Sequence, residues 1–98
     1  MTHIELYISL NSSGDAFKCD IQQEEGHWKA TLYQKDFEYT KIQEPTVWQC
    51  LESIAKKVDI LGDVDSITGD IKPVYLATLK GHILLFKAKR GSTEEKYG

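Results

Sequence analysis

Ninety-eight residues with 41% hydrophobic, 10% aromatic and 28% charged side chains describe one globular domain, large enough to bury a core without disulfide or metal staples and too apolar for disorder. A formal net charge of −3 argues against nonspecific binding to nucleic acid or anionic membrane, which both reward a strongly positive domain, and favours a basic partner. No apolar stretch approaches the roughly 18 residues of a membrane span, and no basic-then-apolar leader opens the chain. Cys19 and Cys50 stand at no metal or redox spacing, so they are expected to be reduced, buried thiols of a cytoplasmic protein.

From Ile4 to Leu10 the alternation is strict, with Ile4, Leu6, Ile8 and Leu10 on one side and Glu5, Tyr7 and Ser9 on the other, the pattern of a half-buried strand. The turn cluster Asn11 to Asp15 leads into a second alternation, Phe17, Cys19 and Ile21, and so predicts a hairpin. Glu24-Glu25-Gly26 reverses the chain into a third strand carrying Trp28, Ala30 and Leu32 inward, and Gln34-Lys35-Asp36 into a fourth from Phe37 to Ile42.

The period then changes. Val47, Leu51, Ile54, Ala55 and Val58 fall on one helical stripe, bordered by Cys50 and Trp48. Pro45, and Thr46 three residues before Gln49, mark the start of this helix as a capping box, Glu52 and Lys56 are set for an i,i+4 ion pair, and Asp59 and Gly62 mark its end. Residues 59 to 72 read equally as a helical turn or a docked loop. Pro73 to Leu79 and His82 to Lys89 read as two strands around a Lys80-Gly81 turn, apolar on both faces, so this hairpin lies mid-sheet or presents one face to another protein, a second copy of the chain included. The expected class is α+β, in the order β-β-β-β-α-β-β, with a mostly antiparallel sheet and one amphipathic helix on one face. Residues 1–90 form the single domain and residues 91–98 a flexible polar tail.

Catalytic and metal chemistry lack their patterns. His3, His27 and His82 have no His or Cys two to four residues on. Asp63-Val64-Asp65-Ser66 begins like a calcium loop, but Gly69-Asp70 follows without the glycine the sixth position requires and Val74 stands where the bidentate Glu should be. Cys19 and Cys50 face the core, the glycines fall at turns and helix ends, and no phosphate loop or nucleophile elbow occurs. No catalytic residue, metal or cofactor is therefore expected, and the protein is read as a non-enzyme.

Two surfaces remain. Asp59, Asp63, Asp65 and Asp70 occur without Lys or Arg over residues 59 to 71, and Lys72, Lys80, Lys87, Lys89 and Arg90 without Asp or Glu over residues 72 to 91, so neighbouring segments carry opposite charge and would steer a partner. The acidic set is the expected partner-binding surface. The alternative joins Tyr7, Lys29 and Tyr33 of the meander's outer face, which resembles a single-strand stacking platform, with Lys87, Lys89 and Arg90 at the open end of the last hairpin.

From Phe17 to Val58, three strands with an acidic-Gly-aromatic turn at Glu24-Glu25-Gly26-His27-Trp28, followed by a Thr-led helix, make a layout that resembles HicB-type antitoxins. The family's Pro-Asp-Leu-Pro-Gly-Cys-like segment is replaced by Lys35-Asp36-Phe37-Glu38-Tyr39, and no functional residue is carried across. The resulting expectation is a small cytoplasmic module that inhibits or occludes a partner protein with a basic surface, of the immunity-protein, antitoxin or phage-inhibitor type. A single-stranded nucleic-acid-binding domain or an accessory subunit is the alternative.

Overall fold

The structure, a computed structural model, describes residues 3–11 and 16–97, with side chains as far as Lys89. It is an α+β domain with strands β1 (His3–Leu10), β2 (Ala16–Glu24), β3 (His27–Gln34) and β4 (Phe37–Glu44), helix α1 (Val47–Leu61), strand β5 (Val64–Asp70) and helix α2 (Pro73–Tyr97). The sheet order is β4-β3-β2-β1-β5, and every pairing is antiparallel. The four expected strands and the helix after them all form, while most of the first turn, residues 12–15, lies outside the described residues.

The alternation read from the sequence decides which side of the sheet is dry. Ile4 pairs with Ile21, Leu6 with Cys19 and Ile8 with Phe17, and Cys19 and Ile21 continue to Leu32 and Ala30, so one face is apolar from β1 to β3. Helix α1 leaves the β4 edge and delivers the chain to β5 at the opposite edge, and so crosses that apolar face. Val47, Cys50, Leu51, Ile54, Ala55 and Val58 are buried there. Its start is set by Thr46, whose Oγ1 accepts from the Gln49 amide at 3.2 Å and donates to Gln49 Oε1 at 3.0 Å, and Ser53 donates to Glu44 Oε2 at 2.8 Å. The expected Glu52–Lys56 pair does not close within 4 Å: both side chains are exposed, where solvation and side-chain entropy outweigh a weak attraction.

The end of the chain departs from expectation. Residues 64 to 70, read as part of a turn or loop, form β5: Ile67 pairs with Ile8 and is buried, and Gly69 lies opposite Leu6. The glycine that made this segment look irregular is required by the pairing, because at φ +137 a Cβ on Gly69 would meet the Glu5 carbonyl oxygen. Residues 73 to 89, read as a hairpin, are helical, so the expected strands around Lys80-Gly81 do not exist and neither does a homodimer through such a hairpin. Pro73 suits a first helical position, and Leu, Ala and Lys are strong helix formers that outweigh one interior glycine, a cost of about 1 kcal/mol. Leu79 is fully buried, and Tyr75, Leu76, Ile83 and Phe86 pack against the core from the same helix. Trp48 of α1 meets Tyr75 edge-on at 5.2 Å. The tail expected over residues 91–98 lies outside the described side chains.

Leu51, with no exposed surface, sits at the centre of the α1 stripe, whereas Glu52 is exposed. In denaturant titration Leu51→Ala is expected to lower stability by about 2 to 5 kcal/mol and Glu52→Ala by only a few tenths; equal effects would mean that α1 faces the other way.

Candidate functional site

With α1 crossing the inner face and α2 packed on α1, the outward side chains of the sheet form an open polar surface. The strand registers fix its layout. Lys18 lies between Tyr7 and Tyr33, Gln22 beside Lys29, and Asp20 between Glu5 and Thr31. Glu5 in turn lies opposite Asp70 of β5. Asp20, Glu5 and Asp70 thus form a row of three carboxylates across β2, β1 and β5, each directly opposite the next. Like charges so placed destabilise a sheet, and sequence reading missed the row because it needs β5 and its register.

Lys18 partly compensates it. Its Nζ is 3.3 Å from Glu5 Oε1 and 3.9 Å from Asp20 Oδ2, and the hydrogen bond to Glu5, then the charge of Asp20, raise its pKa. His3 Nε2 stands 3.7 Å from Asp20 Oδ1, a buried oxygen with no hydrogen-bond partner. One ligand atom each of His3, Glu5 and Asp20 lies within 4.8 Å of the others. One imidazole and two carboxylates are a ligand set for which the Lys18 ammonium competes, and two carboxylates against one ammonium leave this corner net negative towards Asp70.

The four expected acidic residues are not brought to one spot. Asp59 lies in the last turns of α1, Asp63 follows that helix and accepts from the Asn11 amide through its carbonyl at 2.9 Å, and Asp65 is the extra residue of a bulge where Ser9 pairs with Ser66 but Leu10 with Val64. Asp70 ends β5, about 17 Å along the strand from Asp65, and belongs to the carboxylate row. What the four share is the β5 side of the molecule, where the bulge and Asp65 also guard an open strand edge.

The alternative surface is divided between two places. Tyr7, Lys29 and Tyr33 are on the outer sheet face, where Lys29 and Tyr33 border a polar depression of about 170 Å³ shared with Asp20, Glu38 and Lys41. Lys41 reaches Glu38 at 3.6 Å, so this platform is charge-balanced. Lys87 and Lys89 are on α2, with Lys89 over the Phe86 ring at 5.9 Å, and the Arg90 side chain lies outside the described residues. The basic end expected of a hairpin is corrected accordingly, because in a helix Lys72 and Lys87 are about 22 Å apart.

Cys19 and Cys50 are both buried and free. Burial, followed by the neighbouring Cys50 and Asp20, pushes the Cys19 thiol far up, and burial with Glu44 nearby pushes Cys50 up to about 11. His27 bridges the β2–β3 turn, with Nδ1 3.1 Å from the Glu25 carbonyl oxygen and Nε2 3.1 Å from Glu24 Oε1. Among the described residues no helix is long and apolar enough to cross a membrane. No protein-family model, curated protein or solved structure matches the chain, and the layout resembling HicB-type antitoxins thus finds no support there.

Raised thiol pKa values have a definite sign. The neutral thiols stabilise the fold fully below the ordinary value of 9.0, and for Cys50 this contribution is lost as pH rises through about 11. Both thiols should resist a disulfide reagent at pH 8 until the protein unfolds, and Cys50→Ala should flatten the loss of stability between pH 9 and 11. Prompt labelling of two thiols in the folded protein would contradict their placement.

Proposed function

We propose that this protein is a small non-enzymatic module of the cytoplasm that docks a basic partner protein against the acidic side of its open sheet face, occluding or inhibiting it in the manner of immunity proteins, antitoxins or phage inhibitors. The observation that carries the reading is the Asp20–Glu5–Asp70 row. Cross-strand carboxylates oppose folding by about 0.2 to 1 kcal/mol per pair, and the Asp70 side chain is exposed, so core packing gives no reason for it. A basic partner would turn this repulsion into attraction, and carboxylates of this kind accelerate association more than they hold a complex together.

Asp65 extends the same acidic side to the other end of β5, with Asp59 and Asp63 beyond it. Burial and raised pKa keep both thiols from serving as nucleophiles, in keeping with binding rather than catalysis. The nucleic-acid reading is weaker, because Lys18 and Lys41 are engaged by carboxylates and a phosphate backbone would meet the same row with the wrong sign.

Asp70→Lys separates binding from stability. By removing a like charge opposite Glu5 it should leave the melting midpoint unchanged or slightly raised, while slowing association at low salt with a partner captured from the native host by about tenfold or more. Denaturation and stopped-flow measurements read the two effects. Association unchanged by Asp70→Lys but lost on Lys87→Glu with Lys89→Glu would transfer the function to α2 and to an acidic partner.

A further inference from the structure

His3 has no second histidine or cysteine at metal spacing, but the residue two positions on is Glu5, and in a strand such as β1 residues i and i+2 share a face. The register completes the set. Asp20 of β2 stands directly opposite Glu5, and Gln22 opposite His3, so an imidazole and two carboxylates meet at one corner of the open sheet face. One ligand atom from each lies within 4.8 Å of the other two. All three are carried by paired strands, which position side chains better than loops do.

Two observations point from this corner to a bound cation. The first is Asp20 Oδ1, which is buried and has no hydrogen-bond partner among the described residues, although buried polar atoms are almost always satisfied. His3 Nε2, at 3.7 Å, is too far away to donate. That separation is close to what a metal would set, because two atoms each about 2.1 Å from a tetrahedral zinc stand about 3.4 Å apart. The second observation is the Lys18 ammonium, 3.3 Å from Glu5 Oε1 and 3.9 Å from Asp20 Oδ2. Two of the three ligands thus already hold a positive charge, and it sits on a flexible stem that can swing into solvent.

The ligand types select the metal. Calcium takes about six to eight oxygens and magnesium an octahedron of them, whereas imidazole suits zinc and its neighbours in the transition series. One nitrogen and two carboxylate oxygens, with water in the fourth position, make the open tetrahedral arrangement of zinc. Both thiols are buried, so they do not compete for the ion.

We propose that His3, Glu5 and Asp20 bind one zinc ion, which displaces the Lys18 ammonium from the two carboxylates. Glu5 and Asp20 also belong to the proposed docking row, but the inference does not rest on that reading: zinc binding is measured on the free protein, and Asp70 is not a ligand. Bound zinc cancels the charge of Glu5 and Asp20, so zinc and a basic partner are alternative occupants of this end of the row.

Calorimetric titration of the untagged full chain with zinc chloride tests it, with the imidazole ring resonances followed by NMR. One zinc should bind per chain, shifting the His3 ring and not those of His27 and His82. His3→Gln and Asp20→Asn should each weaken binding by about tenfold or more, at least what loss of an outer partner of a metal ligand costs. Lys18→Met, which keeps the stem and removes the competing charge, should strengthen it by about tenfold. His3 is exposed, so His3→Gln leaves the fold intact even if Asp20→Asn does not. Absence of saturable binding up to about 1 mM zinc would overturn the proposal, as would affinity unchanged by His3→Gln, a shift of the His27 ring in place of His3, or calcium binding as tightly as zinc. Failure here leaves the Asp70→Lys test of docking standing, and failure of that test leaves a measured zinc site standing.

Discussion

The architecture depends on one contact: the α1 stripe of Leu51, Ile54 and Val58 laid across the apolar face that Leu6, Ile8, Cys19, Ile21 and Leu32 make of three adjacent strands. These side chains have essentially no exposed surface, so they supply most of the favourable burial a domain of this size can assemble. Because the chain must travel from the β4 edge to the β5 edge, the helix that covers the core is also the connection that completes the sheet. A single crossing element thus determines which face is closed.

The consequence is asymmetry. Helix α2 packs on α1, which keeps Leu79 dry, and the outer face is left to Tyr7, Lys18, Lys29, Thr31, Tyr33 and the three carboxylates. Where a side chain is not held by the core its identity is free to answer to other demands, and a run of facing carboxylates is a choice against stability. The exposed apolar face of α2 is a second departure of the same kind, in hydrophobicity rather than charge. The two lie on different elements, so the molecule offers two chemically distinct surfaces.

The meander and α1 could be read from residue order because one face of each meets water, and half-burial writes a period of two or 3.6 into the chain. Ile4 to Leu10 and Val47 to Val58 carry that signal plainly. Where it failed, burial did not alternate in a simple way. Helix α2 is apolar on two opposite sides, one for α1 and one exposed, so Leu76, Leu79 and Ile83 are lost among Val74, Leu84 and Leu85, and Lys80-Gly81 passes for a turn. In β5, Gly69 looks like a break, although it marks a close approach of two backbones. Asp70 was visible as part of an acidic run, but its place beside Glu5 and Asp20 depends on a register between strands more than fifty residues apart in the chain, which local pattern cannot supply.

The central claim, that both helices lie on one side of the sheet, α1 on its face and α2 on α1, and leave the other face open, can be tested without a partner. Paramagnetic broadening of side-chain resonances by a soluble gadolinium chelate reads the exposure of each face directly. The account predicts strong broadening for Tyr7 and Thr68 on the outer face and little for Leu6, Ile8 and Ile54 inside. Equal protection of Tyr7 and Ile8 would place a helix over both faces and contradict it.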